Sequence, residues 1–148
     1  MQHTLSISLQ EATIEFSMGL YTVRFHAEAV LDLNQIMRVE DARRDLLPGG
    51  TGPVLVLIPK NVALVEQEAL AWMGTEPAMQ GVPARAVVVP SSIQVLRDQI
   101  RWALFKPAVP FRIFRNPQVA KGWALDTWYD QQVGQEIDAF GDLRKLDV

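Results

Sequence analysis

The chain has 148 residues, 49% of them hydrophobic and 21% charged, which is one domain's worth of a core-forming chain and excludes a disordered tail or low-complexity linker. It has no cysteine and only two histidines, His3 and His26. Disulfides, thiolate zinc sites, iron–sulfur clusters and a cysteine nucleophile are thereby excluded, and most enzyme chemistries become hard to build.

The formal net charge is −3, but it is unevenly spread. Residues 1–84 carry a net −5, residues 85–121 a net +6, and residues 122–148 a net −4. The basic block holds Arg85, Arg97, Arg101, Lys106, Arg112, Arg115 and Lys121 against Asp98 alone. Such a block is ordinarily a solvated face, and becomes an anion-attracting patch only if the fold gathers it on one side. A pI near 5.3, with no basic helix or aromatic-basic motif, argues against nucleic acid as a partner. No apolar run approaches the roughly 18–20 residues of a bilayer span, and the opening MQHTLSISLQ lacks the order of a secretory signal. The expected setting is cytoplasmic, without a membrane partner.

The first third alternates. Leu5, Ile7 and Leu9, then Ile14 and Phe16, then Tyr21, Val23 and Phe25 recur at period two, each set on one face of a strand. Ser17, Met18 and Gly19 mark the turn of an antiparallel hairpin, with Gly19 supplying a positive φ. The period then changes. Asp32 followed by Gln35 has capping-box spacing, and Leu33, Ile36, Met37 and Leu47 form a helical stripe that Pro48, Gly49 and Gly50 stop, which predicts a helix over 32–47.

An α/β alternation follows. Val54 to Ile58 is an apolar run between two prolines, the mark of a strand buried on both faces. Val62, Val65, Ala69 and Trp72 predict a helix over 62–73, and Ala86 to Val89 the next strand. Ser91 with Gln94 opens a further helix whose stripe is Ile93, Leu96, Ile100, Ala103 and Leu104. Phe111 to Phe114 is a last short strand, and Asn116 with Pro117 reads as the cap and first residue of a helix around 119–125. Beyond it Leu125, Tyr129, Val133, Ile137 and Phe140 step by four, four, four and three, an amphipathic helix expected to end at Gly141. The architecture expected is a single α/β domain over 1–125, one mixed β-sheet with an N-terminal hairpin and helices packed on it, followed by a C-terminal helical extension over 126–148.

The segments YTVRFHAEAVLDL (Tyr21 to Leu33), PVLVLIP, VEQEALAWM, ARAVVVPSS and LFKPAVPFRIFRNPQVAKGWAL (Leu104 to Leu125) resemble the small bacterial proteins described as STAS/SEC14-like or SpoIIAA-like. The likeness runs over about residues 12–125 and is one of pattern more than of identities. It implies a STAS-like α/β sandwich, for many members without an assigned activity. In the anti-sigma-antagonist branch a serine at the start of the helix after the central strand is phosphorylated. Here Val65 and Glu66 stand in that region, and no Ser or Thr lies between Thr51 and Thr75. Without a hydroxyl there is nothing to phosphorylate, and the switch does not carry over.

Other chemistry is sparse. The stretch PGGTGP (Pro48 to Pro53) runs from helix to strand, the wrong polarity for a phosphate loop. The candidate anion or ligand site is Ser91 and Ser92 at a helix start, with Arg112 and Arg115 on a neighbouring strand; an ordinary helix cap is the plainer account of the serines. Trp72, Trp102, Trp123 and Trp128 complete a core or an interface more readily than they line a lipid pocket. No catalytic residues, metal ligands or cofactor site can be assembled. The function expected is a non-enzymatic regulatory or protein-interaction module, homo-oligomeric through an arm carrying Tyr129, Val133, Ile137 and Phe140. The alternative is a domain binding a small apolar or anionic ligand.

Overall fold

The N-terminal strands form a meander whose geometry follows from its turns. In the computed structural model, which describes residues 4–60, 64–75, 77–90 and 110–146, β1 (Leu5–Ser8), β2 (Ala12–Ser17) and β3 (Leu20–Phe25) pair antiparallel in sequence order. The β2–β3 turn has both central residues at positive φ, Met18 at 54° and Gly19 at 78°, the mirror-image turn that matches strand twist. After the two-residue β4 (Val30–Leu31), α1 (Leu33–Leu46) starts at the expected cap: the Gln35 amide donates to Asp32 Oδ1 at 2.9 Å, but Gln35 Oε1 has no hydrogen-bond partner, so the reciprocal half of the capping box is not made.

The alternating part adds β5 (Val54–Leu57), β6 (Leu64–Val65), α2 (Gln67–Trp72), β7 (Arg85–Val88), β8 (Phe111–Phe114) and α3 (Pro117–Leu146). The main sheet runs β1-β2-β3-β5-β7-β8, with β3, β5, β7 and β8 mutually parallel. It is the mixed α/β sheet expected from the sequence. Period two divides its residues between two cores. Ile14, Tyr21, Val23, Val56, Val87 and Ile113 pack with Ile36 and Val39 of α1 and Ala69 and Met73 by α2. Leu20, Leu55, Ala86, Val88 and Phe114 pack on the other side with Ala120 and Ala124 of α3.

Three expectations are corrected. The helix expected over 62–73 begins only at Gln67, because Leu64–Val65 pairs in parallel with β4 and the Glu66 amide donates to the Leu31 carbonyl at 3.0 Å. The buried stripe of α1 is Ile36, Val39, Glu40 and Arg43, while Met37 is exposed. The two helices expected on either side of Leu125 are one, and it passes through Gly141 to Leu146; glycine inside a helix costs about 1 kcal/mol and stops it only in a left-handed cap. The helix expected to start at Ser91 lies outside the described residues. No helix among the described residues is long and apolar enough to cross a membrane.

Of the three expected caps, Ser91 lies outside the described residues and the other two are made: Asp32 as above, and Asn116, whose Oδ1 accepts from the Gln118 and Val119 amides at 2.8 and 3.2 Å. Asp32→Ala and Asn116→Ala should each lower unfolding free energy by about 1 kcal/mol, read as a lower urea midpoint at unchanged slope.

Candidate functional site

The least expected chemistry lies under α1. Period two places Arg85, the first residue of β7, on the same face as Val87, so its guanidinium enters the core at 0% exposure. On α1, Glu40 and Arg43 continue the stripe of Ile36 and Val39 at steps of three and four, and both are buried. Glu40 Oε2 accepts from Arg85 Nη2 at 2.9 Å and from Arg43 Nε at 3.0 Å. Arg85 Nη2 also reaches the Ala78 carbonyl at 3.2 Å, and the Arg43 guanidinium stands 5.2 Å from the centre of the Tyr21 ring.

This cluster holds two cations and one anion. Burial by itself would raise the Glu40 pKa, but Arg85 and then Arg43, by charge and by hydrogen bond, outweigh it and hold the carboxyl below its ordinary 4.5. Arg43 Nη2, Arg85 Nε and Nη1, and Tyr21 Oη are buried without a hydrogen-bond partner. The loops close over the same end of the sheet: the Gly52 amide donates to the Gly81 carbonyl, and a side chain at Gly50 would place its Cβ 2.7 Å from Tyr21 Oη. The cluster is sealed between α1 and the sheet, and it cannot serve a reaction that needs solvent access.

The residues singled out from sequence are distributed otherwise. Ser91 and Ser92 lie outside the described residues, as do Arg97, Arg101, Lys106 and Trp102. Arg112 is exposed on the α3 side of β8, its guanidinium 5.1 Å from the Phe114 ring centre and 5.8 Å from that of Trp123; Arg115 follows β8 and is exposed. Arg85 therefore does not belong to a surface patch with Arg112, because the two leave opposite faces of the sheet. Trp72 and Trp123 likewise pack with different cores, so they line no common pocket. Tyr129 is 65% exposed and Val133 half-buried on α3; the side chains of Ile137 and Phe140 lie outside the description.

At the opposite end of α1 an open cleft of about 350 Å³ is lined by Gln10, Glu11, Glu28, Val30 and Gln35 among others. Glu11, almost fully buried, accepts from Arg38 Nη1 at 2.9 Å, and Glu28 takes a φ of 65°. His26 beside it is held between Thr13 Oγ1 and the Gln10 carbonyl, at 2.8 and 3.1 Å. Among the described residues no three metal-ligating side chains converge.

Residues 14–127 match the family model described as Domain of unknown function (DUF7793). The chain belongs to that family. No functionally curated protein matches it. Among solved structures, this DUF7793 member is similar to an uncharacterized protein of the DUF3478 family with a SpoIIAA-like fold from Shewanella loihica PV-4. Identity is 12% and the TM-score 0.48, over 84% of this chain and 95% of the other.

The buried cluster of this DUF7793 chain was legible only in part. Positions 36, 39, 40 and 43 share a helical face, but an acid and a base on it read as solvated unless their partner across the core is known. Glu40→Gln should cost about 3–5 kcal/mol, since it leaves two buried guanidiniums without their anion. The folded pKa of Glu40 is depressed, so its contribution is complete above the unfolded value near 4.5 and fades as pH falls through the lower folded value. Urea midpoints of wild type and Glu40→Gln should thus differ most at neutral pH and converge below pH 4.5; a constant difference down to pH 2 would contradict this.

Proposed function

We propose that the chain is a non-enzymatic, STAS-like interaction or regulatory module, and that the far half of α3 is the arm by which it meets a second copy of itself. The observation that carries this reading is the length of α3. The helix starts beside the end of β8, and Gln131 Nε2 donates to the Pro83 carbonyl at 3.2 Å, two residues before β7 begins. By Gln131 it has therefore run the height of the sheet, antiparallel to the strands. Residues 132–146 continue it by about 22 Å at 1.5 Å per residue. An isolated helix of such length is marginal in water and draws stability from packing an apolar face. The sequence stripe through Tyr129, Val133, Ile137 and Phe140 provides such a face, and the exposure of Tyr129 supports it.

A second reading, a small-molecule binding domain, is favoured by the cleft beside Glu11 and Glu28, whose volume lies near the lower bound of ligand pockets, about 300 Å³. Its two carboxylates suit a cationic or hydrogen-bond-donating ligand rather than an anion. Native mass spectrometry weighs both readings, since a retained ligand adds mass to each subunit of 16.6 kDa.

For the arm, the double substitution Val133→Glu and Ile137→Glu leaves the sheet-packed part of α3 intact. It should reduce the sedimentation mass of the full chain while preserving its circular dichroism. An unchanged mass would rule the arm out.

A further inference from the structure

The two edges of the main sheet are built differently. Among the described strands β8 ends the order opposite β1; Pro110 precedes it and Arg112 lies within it, two of the usual devices against edge-to-edge pairing. The β1 edge has neither. Its sequence, Leu-Ser-Ile-Ser preceded by Thr4, holds no charge, proline or glycine. All four residues of β1 are exposed, Leu5 and Ile7 at 36% each.

The backbone of β1 has a determined polarity. The Leu9 amide donates to the Ala12 carbonyl at 2.8 Å across the tight β1–β2 turn, in the register that pairs Ile7 with Ile14 and Leu5 with Phe16. In an antiparallel ladder hydrogen-bonded pairs alternate, so Leu5, Ile7 and Leu9 turn their amides and carbonyls toward β2. Thr4, Ser6 and Ser8 turn theirs outward, to the open edge. Period two also puts Leu5 and Ile7 on the α1 side of the sheet and Ser6 and Ser8 on the other.

We infer that β1 is a homodimerisation edge: two copies join their sheets by antiparallel β1–β1 pairing about a two-fold axis at Ser6. In that register residues 4–8 pair entirely among themselves. Ser6 meets its own copy, and each exchanges both backbone bonds with the other. Thr4 meets Ser8 in the same hydrogen-bonded fashion, hydroxyl beside hydroxyl. Leu5 meets Ile7 in the non-hydrogen-bonded positions, where facing side chains lie closest. No like charges oppose. Registers of odd sum would set apolar side chains against serines, and axes at Leu5 or Ile7 carry the pairing beyond residues 4–8, whereas the Ser6 axis matches the whole strand to itself; that self-match, free of like charges, argues for a second copy as the occupant. The inference shares with the proposed function the premise that the chain acts through protein contact, but it does not depend on α3.

The test uses the geometry of the edge. Ser6→Pro removes an outward amide and no bond to β2, so the monomer fold tolerates it; Ser6→Lys sets two ammonium groups face to face across the axis while offering each a cross-strand partner in Glu15. In sedimentation equilibrium of the full chain, both variants should halve the weight-average mass at concentrations where wild type is assembled, with circular dichroism unchanged. Wild-type mass in both variants, or a monomeric wild type throughout, would overturn the inference. Loss of assembly in the Val133→Glu, Ile137→Glu chain but not in the Ser6 variants would sink β1 and keep the arm; the converse would sink the arm and keep β1.

Discussion

One carboxylate oxygen ties the halves of this fold together. Glu40 Oε2 reaches Arg43 on its own helix and Arg85 on a central strand, and it can do so at only one rotation and one height of α1 on the sheet. Apolar contacts between Ile36, Val39 and the sheet are far less particular, since such residues slide and repack at small cost. A buried ion pair adds little net stability over a well-packed apolar trio, because desolvation offsets its Coulomb gain. Its contribution here is geometric. With α1 so fixed, its C-terminal turn meets the loop after α2, where Arg44 Nη2 donates to the Pro77 carbonyl, and its N-terminus borders the cleft at Glu11. The cluster has more cationic donors than acceptors, and Arg43 Nη2 and Arg85 Nε and Nη1 are left without hydrogen-bond partners.

That interaction also marks the boundary of what the sequence discloses. Signals confined to three or four residues were legible: the Asp32 cap, the Met18–Gly19 turn, and the Asn116–Pro117 start of α3. Each depends on backbone groups and side chains adjacent in the chain. The run from Val54 was legible because both of its faces are apolar. Arg85 was not, since a base at the head of an apolar strand looks like its solvated end, and only Glu40, distant in sequence, makes burial tolerable. The same holds for β6, where Val65 fits a helical stripe until β4 offers it and Leu64 an edge. Of the candidate ligand residues, Arg112 stacks on Phe114 and Trp123, away from the buried cluster.

The distribution of polar chemistry bears on what kind of protein this is. The strongest electrostatics, around Glu40, are sealed. The open cleft is bordered by the exposed Glu28 and by Glu11, which is almost fully buried and engaged by Arg38. Among the described residues, the buried charged cluster packs under α1 and the cleft beside Glu28 lies at the helix N-terminus. Membership of DUF7793, a domain of unknown function, assigns no activity, so function is sought in the surfaces themselves.

Those surfaces have a geometric relation. The open edge of β1 faces sideways, in the plane of the sheet. The distal half of α3 extends along the strands, past the end where β7 begins, on the face opposite α1. Neither overlaps the other, so a contact at one leaves the other free. Pairing at β1 is isologous and closes on itself, because the same residues serve both copies. If α3 also pairs with its copy, each chain carries two different two-fold contacts. Two such axes close into a dihedral assembly only when they intersect at a suitable angle, and otherwise propagate an open filament. The angle between α3 and the sheet would then set the assembly, and α1, locked through Glu40 and Arg85, holds the sheet from which that angle is measured.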